Sequence, residues 1–84
     1  MNNKIVSKIY QYTVVLEPAI EGGYIATVPA ISGCVTQGEN LEETMRMAKD
    51  AIEGCIAVLK DENQEIPTEP EGTFVTKISI PCVK

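Results

Sequence analysis

Y-T-V-V-L-E-P at residues 12–18, G-G-Y-I-A-T-V-P-A-I-S-G-C-V-T-Q-G at residues 22–38 and N-L-E-E-T at residues 40–44 decide how this chain folds. The first piece sits in a run, residues 9–17, rich in β-branched and aromatic residues. Tyr10, Tyr12, Val14 and Leu16 fall on one face of it, which predicts a strand. Pro18 cannot donate to a ladder and Gly22-Gly23 frees the backbone to reverse, so residues 18–23 read as a hairpin loop. A second strand is predicted over residues 24–28, stopped by Pro29, and a short third over 34–37 between Gly33 and Gly38. Three short strands joined by short loops make an antiparallel meander.

Asn40 followed by Glu43 is a capping-box pattern, and Glu42 with Glu43 places negative charge at the positive end of a helix dipole. Leu41, Met45, Ala48, Ile52, Cys55, Ile56 and Leu59 follow i, i+3/i+4 spacing, the stripe of one amphipathic helix that ends near residues 61–63. Gly54 inside that helix reads as a point of close approach to the sheet. Residues 65–72 hold Pro67, Pro70 and Gly72 and read as a loop. Residues 74–80 then read as a last strand, with Thr76, Ile78 and Ile80 alternating with Val75, Lys77 and Ser79.

The order is β-β-β-α-β, an α+β fold in one domain over residues 1–84. A right-handed helical crossover would return the last strand parallel to the first, giving sheet order 3-2-1-4 with the helix on one face. One helix covers one side of a sheet. The other side would carry Ile9, Val15, Ile25, Val35 and Val75 between Gln11, Thr13, Thr27, Gln37 and Lys77, a surface suited to protein contact.

Composition narrows the function. At 84 residues the chain buries about 60–65% of its unfolded surface, so a homo-oligomer, dimer or tetramer, would help to hold it together. The net charge of −5, with a single arginine and no basic cluster, disfavours direct nucleic-acid binding and suits a basic protein partner. Lys4, Lys8, Lys77 and Lys84 sit near the chain ends. No leader pattern and no bilayer-length apolar run is read, which points to the cytoplasm.

There is no histidine, so Ser/His and Cys/His nucleophile pairs and the usual zinc ligand sets are missing. The three cysteines, Cys34, Cys55 and Cys82, are widely spaced and read as small buried or half-buried apolar residues in a reducing compartment. Glu17 and Glu21 flank the hairpin and are the carboxylates that an acid–base pair would use. At an exposed turn of so small a domain they read as solvated charge. No enzyme activity, metal or cofactor is expected.

The three quoted segments, together with A-I-E at residues 51–53, resemble the HicB family of antitoxin-like proteins: a tyrosine-bearing first strand, a Gly-Tyr strand ending in proline, a loop into Gly-Cys, and a glycine before a Glu-Glu helix start. The resemblance runs over about residues 10–59. It implies a partly degraded ribonuclease H-like fold and a role in neutralising a small basic ribonuclease toxin of the HicA type by masking its active site. Ribonuclease activity is not carried over, because this chain lacks the clustered acidic residues that such chemistry needs. Many members append a DNA-binding domain. No basic helix follows residue 80 here, so operator binding is not expected of these residues.

The contact set expected for a toxin is Glu17, Glu21, Tyr24 and the loop residues Pro29, Ile31, Ser32, Gly33 and Cys34. A different class of function stays open beside it: a small-ligand or regulatory binding domain that self-associates without a toxin partner.

Overall fold

The computed structural model describes residues 9–83. Lys4, Lys8 and Lys84, and with them the reading of the amino-terminal residues as free of a leader, lie outside the described part. Three short strands, β1 (Val15–Pro18), β2 (Tyr24–Thr27) and β3 (Val35–Gly38), precede one helix, α1 (Leu41–Asp61). They pair as an antiparallel meander in the order β1-β2-β3. The α+β class read from the sequence is the one observed.

Register decides which residues share a face. Leu16, Ala26 and Thr36 stand opposite one another, as do Pro18, Tyr24 and Gly38; the alternate rows are Val15, Thr27, Val35 and Glu17, Ile25, Gln37. The first two rows face α1, where Ala26 is fully buried and Leu16 meets the helix beside Ala48 and Ile52. The other two rows form the face that α1 leaves open.

The β1–β2 turn is closed by the Ala19 N–H donating to the Gly23 carbonyl at 3.0 Å and the Gly22 N–H donating to Ala19 at 3.1 Å. Gly23 has φ +75, and a Cβ there would land on the carbonyl oxygen of Gly38 across the ladder. At Gly38 a Cβ would lie 2.6 Å from Thr44 Oγ1 and 2.8 Å from its backbone nitrogen. These two glycines let the meander and the first turn of α1 approach to backbone contact. The expected close approach at Gly54 is not observed: a Cβ there meets nothing within 4 Å, because Gly54 lies on an exposed part of the helix.

Asn40 caps α1 as expected, its side-chain oxygen accepting from the Glu43 N–H at 2.8 Å. The Glu43 carboxylate reaches back to the N–H of Glu39 at 2.6 Å, one residue earlier than a standard box. Buried Thr44 donates its hydroxyl to the Asn40 carbonyl. At the other end Asn63 takes φ 56, its N–H bonding the Lys60 carbonyl while Gln64 bonds Leu59, the pattern of a Schellman stop.

The core is small. Val28, Ile31 and Cys34 form its centre, with Tyr12, Val14, Ala51, Ile52 and Cys55 packed against them. The helical stripe is only partly covered: Ala48 is buried, whereas Leu41 and Met45 are 46% and 58% exposed.

Two strand expectations are corrected. The first strand was read over 9–17, but only Val15–Pro18 pairs. Immediately upstream, the Thr13 N–H and hydroxyl are taken by the Glu69 carboxylate at 2.8 and 2.7 Å, and the Tyr12 hydroxyl donates to the Pro67 carbonyl at 2.6 Å. Side-chain and loop partners occupy positions that a neighbouring strand would take. The last strand, read over 74–80 and placed fourth in the sheet, joins no ladder among the described residues, and every residue from 70 to 83 is exposed. Among the described residues the sheet has three strands, and β1 pairs only with β2.

Candidate protein-binding site

The hairpin end of the open face gathers charge around apolar area. Glu17 is exposed on β1 and stands opposite Ile25 in the ladder, with Gln37 beyond it on β3. At the turn, Ile20 is completely exposed at 104% of its reference area, next to exposed Glu21. These residues line a shallow depression of about 530 Å³ together with Pro18, Ala19 and Gly22. An apolar residue flanked by two carboxylates has the chemistry to dock a basic surface, since burial supplies affinity and charge supplies orientation and encounter rate.

Around the same hairpin, on the helix side, Glu21 and Tyr24 line a second hollow with Glu39, Glu43 and Met47. Tyr24 is half-buried there. Glu21 borders both hollows, whereas Glu17 and Tyr24 lie on opposite faces of the hairpin end. Neither Glu17 nor Glu21 lies in a closed pocket that would exclude water from a reacting group.

The loop half of the expected contact set lies at the opposite end of β2, roughly 15 Å away along the strand. Pro29, Ser32 and Gly33 are exposed there, but Ile31 and Cys34 are 4% and 2% exposed and belong to the core. The loop is folded inward by three backbone bonds: Val28 N–H to Cys34, Ile31 N–H to Val28 and Cys34 N–H to Ile31. Burial, with a hydrogen bond to Cys55 as a lesser cause, pushes the Cys34 thiol above its ordinary value and keeps it protonated. Cys55 is half-buried, as read from the sequence; Cys82 is exposed, which the sequence did not suggest.

Ile25 was placed on the open face by the sequence reading, whereas Ile20 was not singled out. Its signal was the interruption of E-P-A-I-E-G-G by one large apolar residue at a turn where small polar residues are the rule. Among the described residues no cluster of three metal-ligating side chains occurs, and no helix is long and apolar enough to cross a membrane.

Comparison with known proteins places these features. A family model described as the HicB-like antitoxin of bacterial toxin–antitoxin systems matches residues 12–77. A UPF0150 protein of Synechocystis is 44% identical over 62 residues, covering 74% of this chain and 78% of its own length. Antitoxin HicB of Escherichia coli K12 is 40% identical over 57 residues, 68% of this chain but 41% of that protein. Antitoxin HicB 1 of Photorhabdus laumondii is 36% identical over 66 residues, 79% of this chain and 43% of its own. The chain thus spans less than half the length of these two relatives that carry the antitoxin name.

Proposed function

This chain belongs to the HicB-like antitoxin family of bacterial toxin–antitoxin systems, and on that premise we propose that it is a non-catalytic protein-binding module. It acts in the cytoplasm and neutralises a small basic ribonuclease toxin of the HicA type by covering the toxin's active site. The observation that carries this reading is the exposed Ile20 between Glu17 and Glu21, on the sheet face that α1 leaves uncovered. A ribonuclease must present positive charge to RNA phosphates. Carboxylates placed over that charge compete with RNA for the same ground, and Ile20 and Ile25 supply the apolar contact that holds them in place.

The test is binding to a small basic ribonuclease toxin of the HicA type, measured by calorimetry and by protection of RNA. Joint reversal of charge, Glu17→Lys with Glu21→Lys, is expected to weaken binding at least about tenfold at low salt with an unchanged melting temperature. Ile20→Ala is expected to cost about 1–2 kcal/mol of binding. Full affinity in both variants removes the hairpin face as the contact surface.

A second reading has one observation in its favour. The short UPF0150 relative matches this chain over 78% of its length, whereas the relatives named as antitoxins are more than twice as long as the matched region. On that reading the chain is a regulatory or small-ligand binding domain that self-associates. Retention of no basic protein by the purified chain, together with stable self-association, would favour it.

A further inference from the structure

Residues 74–83 carry five large apolar side chains in contact with water: Phe74, Val75, Ile78, Ile80 and Val83 are 66–94% exposed. Alternation puts Phe74, Thr76, Ile78 and Ile80 on one side and Val75, Lys77 and Ser79 on the other, the pattern of a strand with one buried face. The turn at residues 70–73, held by the Thr73 N–H and hydroxyl on the Pro70 carbonyl at 3.2 and 2.7 Å, sends this segment off the body just after Glu69 is tied to Thr13. The radius of gyration, 16.4 Å, accordingly exceeds the roughly 12 Å of a self-contained domain of this length.

The body has a matching vacancy. β1 pairs only with β2, so its outer edge is open. Beneath that edge, between Tyr10, Tyr12, Val14 and Leu16 and the helix residues Ala48 and Ile52, runs an apolar groove of about 560 Å³. An open strand edge above an apolar groove accepts a strand with one apolar face.

We propose that residues 74–80 of one copy lie as the fourth strand along the β1 edge of a second copy, with Phe74, Ile78 and Ile80 filling its groove, and that the exchange is reciprocal. Each copy owns both the arm and the slot, so a two-fold pair closes with neither left over; a foreign strand would fill the slot and leave the arm in water. The exchanged strand completes the sheet on the helix side and at the β1 edge. It leaves Glu17, Ile20, Ile25 and Gln37 uncovered, so this inference does not rest on the toxin-binding reading.

The test uses the full chain. Sedimentation equilibrium is expected to give twice the 9.1 kDa chain mass. The double variant Ile78→Asp, Ile80→Asp is expected to raise the dimer dissociation constant at least about a hundredfold. The milder Ile78→Ala keeps the test alive if the double variant misfolds, with a rise of about tenfold. In a mixed sample of carbon-13-labelled and unlabelled copies, methyl groups of Ile78 and Ile80 are expected to show contacts to Tyr12 and Val14 of the other copy. A monomeric chain overturns the proposal, and so do contacts confined to one copy, a dimer indifferent to both variants, or an arm that orders only when a toxin is added.

Discussion

The junction of β3 with α1 and the chain beyond Pro70 are both short and each contains a glycine, yet one is closed on itself and the other is open. At the junction, Gly38 lies against Thr44, Asn40 holds the Glu43 N–H, Glu43 holds the Glu39 N–H, and Thr44 is wholly buried with its hydroxyl satisfied. Beyond Pro70 every residue through Val83 is exposed, and the apolar side chains have no groove of their own. The contrast separates two kinds of stability. Contacts between neighbours in sequence are completed at the junction, whereas the alternating apolar side chains of residues 74–80, more than fifty residues from β1, stand in water.

Substitutions that separate the two regions would break or sharpen this contrast. The largest effect is expected at the closed end: Gly23→Ala forces a positive φ on an L residue and drives its Cβ into the Gly38 carbonyl, costing about 4 kcal/mol, near the whole stability of a domain this small. Circular dichroism of the variant should show a largely unfolded chain at 37 °C. Next, Ile31→Ala in the core should cost about 3 kcal/mol in urea unfolding at a protein concentration where the chain is monomeric. Ile78→Ala on the open segment should then cost less than about 0.5 kcal/mol. Equal losses at the two positions would erase the distinction.

A smaller effect is expected at the helix start, where Asn40→Ala removes the acceptor for the Glu43 N–H and should cost about 1 kcal/mol. Gly54→Ala should go the other way, gaining up to about 1 kcal/mol, because open space surrounds the site and the helix interior gains a better former. Thermal unfolding of the two variants side by side measures both.

The bond that ties the two regions together gives the subtlest signal, readable through pH. The backbone and side-chain hydrogen bonds from Thr13 hold the Glu69 carboxyl below its ordinary value of 4.5. A carboxyl depressed in the folded state stabilises it above the ordinary value, and that contribution is lost as pH falls through 4.5 toward the depressed value. The melting difference between the native chain and Glu69→Gln should therefore be present at pH 7 and vanish in acid. A difference that persisted at pH 3 would locate the effect elsewhere.

What the sequence revealed follows the same division. The meander, the Asn40 cap and the helix stripe were legible because each rests on signals a few residues apart: the Gly22-Gly23 reversal, Asn40 with Glu43, the spacing from Leu41 to Leu59. The alternation at residues 74–80 predicted a strand that joins no ladder among the described residues, since period two describes a face and carries no address. The anchoring of Tyr12 to Pro67 and Thr13 to Glu69, across more than fifty residues, has no local signature and displaced the start of the first strand.

Of the candidate site, turn chemistry placed Glu17, Glu21 and Tyr24 at the hairpin end, with Glu17 and Tyr24 on its two opposite faces, whereas Ile31 and Cys34 in the second loop were drawn into the core by backbone bonds that composition does not encode. Ile20 escaped notice because a single exposed apolar residue in a turn has no period to detect.

The most direct measurement of the central claim, that the open hairpin face receives a basic partner, is a titration of the nitrogen-15-labelled chain with a small basic toxin of the HicA type, followed by amide resonances. The account predicts that Glu17, Ile20, Glu21, Ile25 and Gln37 shift together and saturate at one partner per chain, while the exposed side of α1, marked by Asp50 and Glu53, stays in place. Shifts centred on Asp50 and Glu53, or no saturable shift at all, would contradict it.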